Sequence, residues 1–363
     1  MRFALLCKRY YTNRDLFRDR FGRLYHLPVQ LTRLGHSGVV VAADYRGRRS
    51  DGFDEPELTF RSIPFSLARS AHFVAASYQA IKQARPDVII ASGDIHFGAL
   101  GLFYARRLGV PFVFDVYDDY GVFASAKIPA MRMLFRRTLR RADMLVTASA
   151  PLADYLADLN RRITVIENGV DSRLFRPIAQ DQARAELGIP LADTVIGFFG
   201  SIERNRGAET LVEAARLVGQ TRPATRLLLA GTNAIGLNLS QPGIDYRGVV
   251  AQSEVPRLIN ACDVAVIPYH GHQLENMANA CKIAEYLACD VPVVTTRVSN
   301  FAEIFAATPQ AICEPADPRG MANAILAQLN APQRLPFVEN DYSWTSLGRR
   351  LERNLSGLLA DKI

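Results

Sequence analysis

The strongest constraint on this 363-residue chain is a repeated alternation of short aliphatic runs with longer amphipathic stretches. The runs are rich in Val, Ile and Leu and lack strict apolar–polar alternation, which marks strands buried on both faces. In the first half they are Arg2–Cys7, Gly38–Ala43, Asp87–Ala91, Pro111–Val116, Met144–Ala148 and Ile163–Glu167. In the second half they are Val195–Gly200, Arg226–Gly231, Asp245–Gly248, Val264–Pro268, Pro292–Thr295 and Ala311–Cys313. Helical periodicity fills many of the intervals: Asp19–Leu34, Ser66–Ala84, Gly98–Leu108, Met131–Arg141, Gly207–Val218, Val255–Asn260 and Lys282–Ala288. Strand and helix in alternation build parallel sheets from βαβ units. The pattern runs through twice in a chain too long for most single cores. The sequence therefore predicts an α/β fold of two doubly wound, Rossmann-like domains facing each other. The joint is expected near Arg176–Pro190, where RPIAQDQARAELGIP carries a proline at each end. Residues 1–176 then form the first domain, 177–342 the second, and 343–363 a closing helix.

In open parallel sheets, ligands bind beyond the carboxyl ends of the strands. The segment ENMANACKIAEYLACDVPVVTT reads as a polar loop, a short helix, a tight turn and a buried strand. It places Asn276, Met277, Ala278 and Asn279 where the helix begins. A helix N-terminus offers unpaired N–H groups and a positive dipole end to an anion. Lys282 and Glu285 follow three residues apart, on one helical face. Backbone N–H groups and Lys for a diphosphate, with Glu for ribose hydroxyls, suit a sugar nucleotide. The same residues also describe a plain helix with a surface Lys–Glu pair. After Val195–Gly200, Arg204 and Arg206 stand in the loop SIERNRG, in reach of a diphosphate or in a solvated basic loop. Gly231 and Val250, in the loops after the next two strands, are candidates to pack on a base.

In the first half, Lys8 and Arg9 follow strand one and open a basic loop, RYYTNRDLFRDRFGR. No GxGxxG occurs there, which argues against a dinucleotide fingerprint. Asp94 and His96 follow the third run, and Asp115, Asp118 and Asp119 end the fourth or follow it. A carboxylate or imidazole at such a strand end can act as a general base toward a hydroxyl. His96 has a structural hydrogen-bonding role as its alternative. The aspartates compete among holding a divalent metal, capping a helix and pairing with arginines.

The net charge of +7 is unevenly spread. Residues 1–176 hold 27 Lys/Arg against 17 Asp/Glu, or +10, which leaves −3 for the remainder. Only the first half is expected to meet an anionic partner. The stretch MRMLFRRTLRR is basic and amphipathic, so it lies either on an anionic membrane surface or on the core with a solvated basic side. No nucleic-acid reader motif accompanies the charge. Five cysteines without a CxxC pair point to reduced thiols in a cytoplasm rather than zinc or disulfides. No apolar run reaches membrane-spanning length.

Several segments together resemble the GT-B glycosyltransferases of the large group that includes glycosyltransferase family 4. IENGVDSRLFRP is similar to the family's "NGVD…F.P" segment, and EYLACDVPVVTT to its "EALA.G.PVV.T" pattern. GSIERNRGAETLVEAARLV resembles its phosphate loop, and DRFGRLYHLPVQLTRLGH its Gly-containing first loop and helix. The resemblance implies a GT-B architecture whose C-terminal helix crosses back to the first domain. It implies a nucleotide-sugar donor, UDP- or GDP-linked, on the second domain. There Glu285 holds the ribose, and Arg204, Arg206, Lys282 and the Asn276–Asn279 turn face the diphosphate. A saccharide or lipid-linked acceptor would meet Lys8, Gly22 and Arg23, with His96, Asp94 or Asp118 as base if the reaction inverts. If it retains, the leaving phosphate takes the proton. Arg and Lys already supply positive charge, so neither metal nor cofactor is required. Two departures stand out: Ser201 replaces the family's loop Arg, and Met277 replaces the first Glu of its E-x7-E pair. The expected role is cell-surface polysaccharide or glycolipid synthesis in the cytoplasm or at the inner membrane face. The alternatives are a nucleotide-sugar epimerase or hydrolase, and a silent binding scaffold.

Overall fold

The computed structural model describes residues 1–11, 14–47, 50–271, 276–277 and 279–361. The chain divides into two compact units, Met1–Gly169 with Ser343–Ile363, and Val170–Tyr342. The sequence reading sets the boundary at residue 176, but Val170 and Phe175 already lie in the second unit's core. Buried Arg184 also pairs there with Asp263 at 2.8 Å.

The first unit is built on β1 (Arg2–Lys8), then a small hairpin of β2 (Tyr10–Tyr11) and β3 (Arg14–Asp15). There follow β4 (Ser37–Asp44), β5 (Asp51–Glu55), β6 (Leu58–Pro64), β7 (Val88–Ser92), β8 (Phe112–Val116), β9 (Met144–Thr147) and β10 (Ile163–Val165). Its eight-stranded sheet runs β10-β9-β8-β7-β1-β4-β6-β5, parallel except for β5 against β6. The second unit holds β11 (Thr194–Phe199), β12 (Thr225–Ala230), β13 (Ile244–Tyr246), β14 (Val264–Ile267), β15 (Val293–Thr296) and β16 (Ile312–Cys313). Its six strands run β13-β12-β11-β14-β15-β16, all parallel. All twelve expected strands form with slightly shifted ends. The central ones are buried along their whole length, as continuous aliphatic runs require.

Strand order locates the functional edge. From β1 the chain steps outward to β6 and then returns to the other side of β1 through β7. In the second unit it steps from β11 to β13 and returns through β14. These reversals are the switch points at which open sheets bind ligands.

One expected helix differs. Asp19–Leu34 splits, because Arg20 and Gly22 take positive φ of 49° and 72°. A short Leu16–Asp19 helix ends there, and Arg23–Arg33 begins after Gly22. The C-terminal helix Trp344–Ala360 packs on Arg23–Arg33 within the first unit. Gly348 permits the approach, since a Cβ there would lie 2.3 Å from the Gln30 Cβ. The His26 and Trp344 rings stack at 5.0 Å, and Arg350 pairs with Glu167 at 2.7 Å.

Candidate functional site

At the second unit's switch point, three loops press together through glycines. Gly200 N–H donates to the Ala230 carbonyl and Gly231 N–H to the Gly248 carbonyl, both at 2.7 Å. Gly231 has φ 139°, and a Cβ there would lie 2.0 Å from the Gly200 carbonyl oxygen. Gly207 has φ 69°, and a Cβ would lie 1.7 Å from the Pro268 carbonyl oxygen. No side chain fits either position, so the loops after β11, β12 and β14 are held at backbone contact.

Charge is delivered to the same edge. Lys282 stands in the helix Cys281–Ala288 with its ammonium beside Gly200 and 5.6 Å from the Phe198 ring. Burial works against its charge, yet Tyr269, Cys281 and Glu285 more than offset this and raise its pKa. The same surroundings push the Cys281 thiol up to about 11, through burial and then Glu285. Arg206 caps the Tyr269 ring, its guanidinium carbon 4.5 Å from the centroid, and pairs with Glu203 at 3.9 Å. His270 Nε2 shares a 3.0 Å hydrogen bond with Thr210 Oγ1, and the His270 backbone N–H donates to the Asn205 carbonyl. Arg204 is exposed where Arg206 is half-buried. Val250 is half-buried and packs on the core below.

The helix carrying Lys282 begins later than expected. Its N-cap is Ala280, so Cys281 and Lys282 rather than Asn276 and Asn279 supply its first N–H groups. Asn276 lies upstream, its amide donating to the Gly271 carbonyl at 3.4 Å, and Met277 is half-buried beside it. Ala278 and Glu275 fall outside the described residues. Lys282 and Glu285 do share one helical face, and Glu285 is half-buried.

The first unit has a second cluster at its own switch point. Lys8 ends β1, with its ammonium 5.7 Å from the Tyr117 ring and 5.9 Å from the Phe123 ring. Burial lowers its pKa against the pull of Asp94 and Asp118. Asp94 caps the helix Ile95–Leu108 through the Ile95 N–H at 2.6 Å and accepts from Ser125 Oγ at 3.1 Å. His96 Nδ1 lies 3.8 Å from Asp94, and its Nε2 meets the Tyr45 hydroxyl at 2.8 Å. Burial, and then Lys8 against Asp94, hold the His96 pKa below its usual value. An imidazole that is neutral at pH 7 can accept a proton.

The competition among the three aspartates is resolved by their neighbours. Asp115 is buried against Arg23 and Ser92. Asp119 is buried and accepts from the Gly121 N–H. Asp118 is the half-exposed one beside Lys8. Arg23, expected to meet the acceptor, has a side chain with 0% exposure. Its guanidinium donates to Asp115 at 2.7 and 3.1 Å, to the Ile166 carbonyl at 2.9 Å and to Asn168 at 3.2 Å. It is a structural cation, and Gly22 is the buried N-cap of the helix it opens. Sequence reasoning passes over Tyr45 and Ser125, which complete the first unit's cluster. Tyr45 directly follows the end of β4, and that position is the available signal. Among the described residues, no group of three or more His, Cys, Asp or Glu is arranged to hold a metal ion. No helix among them is long and apolar enough to cross a membrane.

Known proteins match both units. Residues 23–174 match Glycosyltransferase Family 4, and residues 193–331 match Glycosyl transferases group 1. A D-inositol 3-phosphate glycosyltransferase of Segniliparus rotundus is 30% identical over 227 residues, 56% of this chain and 49% of that protein. The enzyme of the same name from Thermobispora bispora is 26% identical over 93% of this chain and 83% of its own. Thus the match to the first of these relatives spans about half its length. Among solved structures, sucrose-phosphate synthase from Thermosynechococcus elongatus superposes with a TM-score of 0.75 at 18% identity, covering 99% of both chains. Anabaena HepE in complex with UDP superposes at 0.72 with 15% identity, over 98% of this chain and 100% of that one. Matched in succession along its two units, and sharing the fold of these structures from end to end, the chain belongs to the GT-B glycosyltransferases, with family 4 in its first half and group 1 in its second.

Proposed function

We propose that this chain transfers a hexose-type sugar from a nucleotide-sugar donor to an acceptor hydroxyl without a metal ion. The observation that carries the reading is the Lys282 ammonium held beside Gly200 at the second unit's switch point. A diphosphate laid along this edge meets Lys282, Arg206 and the N–H groups of Cys281 and Lys282, with Arg204 as an outer cation. These charges stabilise the leaving nucleoside diphosphate as the glycosidic bond breaks, which is the electrostatic work such a site performs. Glu285 takes the ribose hydroxyls, Gly231 and Val250 lie under the base, and Asn276 and Met277 flank the sugar. UDP or GDP is the expected nucleotide, and the UDP-bound structural neighbour supports the first.

The acceptor, a saccharide that is free or lipid-linked, belongs to the first unit's Lys8 cluster. For an inverting reaction, His96 removes the acceptor proton, oriented by Asp94 and Tyr45, and Asp118 is the alternative base. For a retaining reaction, the departing phosphate takes it. Cell-surface polysaccharide or glycolipid synthesis, in the cytoplasm or at the inner membrane face, is the setting this chemistry suits.

The test is thermal unfolding of the purified chain with UDP, GDP, ADP, CMP and their sugar conjugates. A ligand at about a hundred times its Kd adds roughly 2.7 kcal/mol of stability. Stabilisation by one nucleotide family, lost in Lys282→Met, supports the reading, and no response from folded protein sinks it. Met277 favours a second reading, a silent nucleotide-binding protein. That reading predicts stabilisation without hydrolysis or transfer of the donor sugar.

A further inference from the structure

The helix Pro129–Arg141 turns Phe135, Thr138 and Leu139 to the core. Its other side exposes Arg132, Met133, Arg136, Arg137, Arg140 and Arg141. A solvated helix face ordinarily mixes acids among its bases, but no acidic residue falls between Asp119 and Asp143. Among the described residues, no carboxylate pairs with Arg136, Arg137 or Arg140. Large apolar side chains stand out of the same surface. Met133 is 70% exposed, Ile128 56%, and Phe103 on the neighbouring helix Ile95–Leu108 48%. The two helices meet where the Arg106 guanidinium donates to the Arg141 carbonyl at 2.9 Å, and Arg107 lies over the Phe103 ring. Water solvates the arginines but disfavours the exposed apolar groups beside them. A surface of anionic headgroups over acyl chains favours both.

This face is tied to the Lys8 cluster by one short turn, Ala124–Lys127. At one end Phe123 faces Lys8, and Ser125 donates to Asp94. At the other, the Ile128 N–H donates to the Ser125 carbonyl, and the Ile128 carbonyl accepts from Arg132 in the basic helix. We infer that this face docks on an anionic lipid bilayer and so presents a lipid-linked acceptor to the Lys8–Asp94–His96 cluster. The acceptor half of the inference rests on the proposed function, while the docking half stands on the surface alone.

The experiment is co-sedimentation of the full chain with phosphatidylcholine vesicles, with and without phosphatidylglycerol, across ionic strength. Binding should require phosphatidylglycerol and weaken with salt. Arg136→Glu/Arg137→Glu/Arg140→Glu should bind more than about 100-fold more weakly, at about fivefold per arginine lost. Ile128→Ser/Met133→Ser should weaken the binding that survives at high salt. Both variants should keep the nucleotide-dependent thermal shift of the parent. Binding indifferent to phosphatidylglycerol, or unchanged in the triple variant, overturns the inference, as does equal retention by heparin with no vesicle selectivity. If nucleotides stabilise the chain and vesicles do not bind it, docking alone fails. If vesicles bind selectively and no nucleotide stabilises, docking stands and the transferase reading falls.

Discussion

Replacing Arg23 by Met should destabilise the first unit severely, because Arg23 is a buried cation shared by three segments. Its guanidinium joins the first long helix to Asp115 at the end of β8 and to Ile166 and Asn168 just beyond β10. Removal strands the buried Asp115 carboxylate with Ser92 as a remaining donor, and takes a donor from the Ile166 carbonyl. Breaking a buried pair by deleting one partner costs about 3–5 kcal/mol. For a unit of this size the melting temperature then falls by roughly 6–20 °C, at about 2–4 °C per kcal/mol. The chain's one tryptophan, Trp344, belongs to this unit and stacks on His26 of the helix that Arg23 opens. Its fluorescence during urea unfolding reports the first unit selectively. Arg23→Met/Asp115→Leu should recover much of the loss, since an apolar pair of similar volume often matches a buried ion pair. Arg136→Met, on the exposed helix face, should change stability by under about 0.5 kcal/mol. A loss below about 1 kcal/mol in Arg23→Met, together with a raised KM for the acceptor, would refute the structural role.

Lys282→Met should weaken UDP or GDP binding by about 10- to 150-fold, the range for a lost hydrogen bond to a charged group. Titration calorimetry reads this directly, and a change under threefold would remove Lys282 from the diphosphate. Gly231→Ala should cost the second unit about 1–3 kcal/mol, because it combines φ 139° with a Cβ 2.0 Å from a carbonyl oxygen. Circular dichroism melts should show it, and an unchanged melt would mean that the loops separate without cost. The lowered His96 pKa sets a sign for pH dependence. Its neutral form is the one favoured in the folded chain, so its penalty is complete below the folded pKa and gone above about 6.5. If His96 is the base, kcat/KM should rise through a pKa under 6.5 and be flat at 7, and His96→Gln should abolish that limb. An acid limb above 6.5, or one that survives the substitution, would assign the base elsewhere.

What could be read from the sequence was what is local. A strand inside a parallel sheet must be apolar on both faces, so β1, β7, β8, β11 and β14 announce themselves as aliphatic runs. The β5–β6 hairpin escaped because DGFDE is a polar edge strand, largely exposed and buried on neither face. The helices Ala150–Leu156 and Pro318–Asn330 escaped too. At the candidate site, the residue types were legible and their partners were not. Arg23 and Lys8 look alike as cations in one basic segment. One lies wholly inside against a carboxylate contributed by β8, and the other stands half-buried at the mouth of the sheet. Asp115, Asp118 and Asp119 are separated in the same way, by which neighbour each strand or turn brings to it. For Asp115 and Asp118 the deciding contact lies across the sheet, where strand order rather than spacing sets distance, while Asp119 bonds within its own turn. The glycines carry the same lesson in the second unit. Gly200, Gly207 and Gly231 look like ordinary loop punctuation, and only the β12-β11-β14 order brings Gly231 against Gly200 and Gly207 against Pro268, with Lys282 beside Gly200. That enforced contact, with a lysine held beside it, is what the proposed diphosphate site has and a plain helix with a surface Lys–Glu pair lacks.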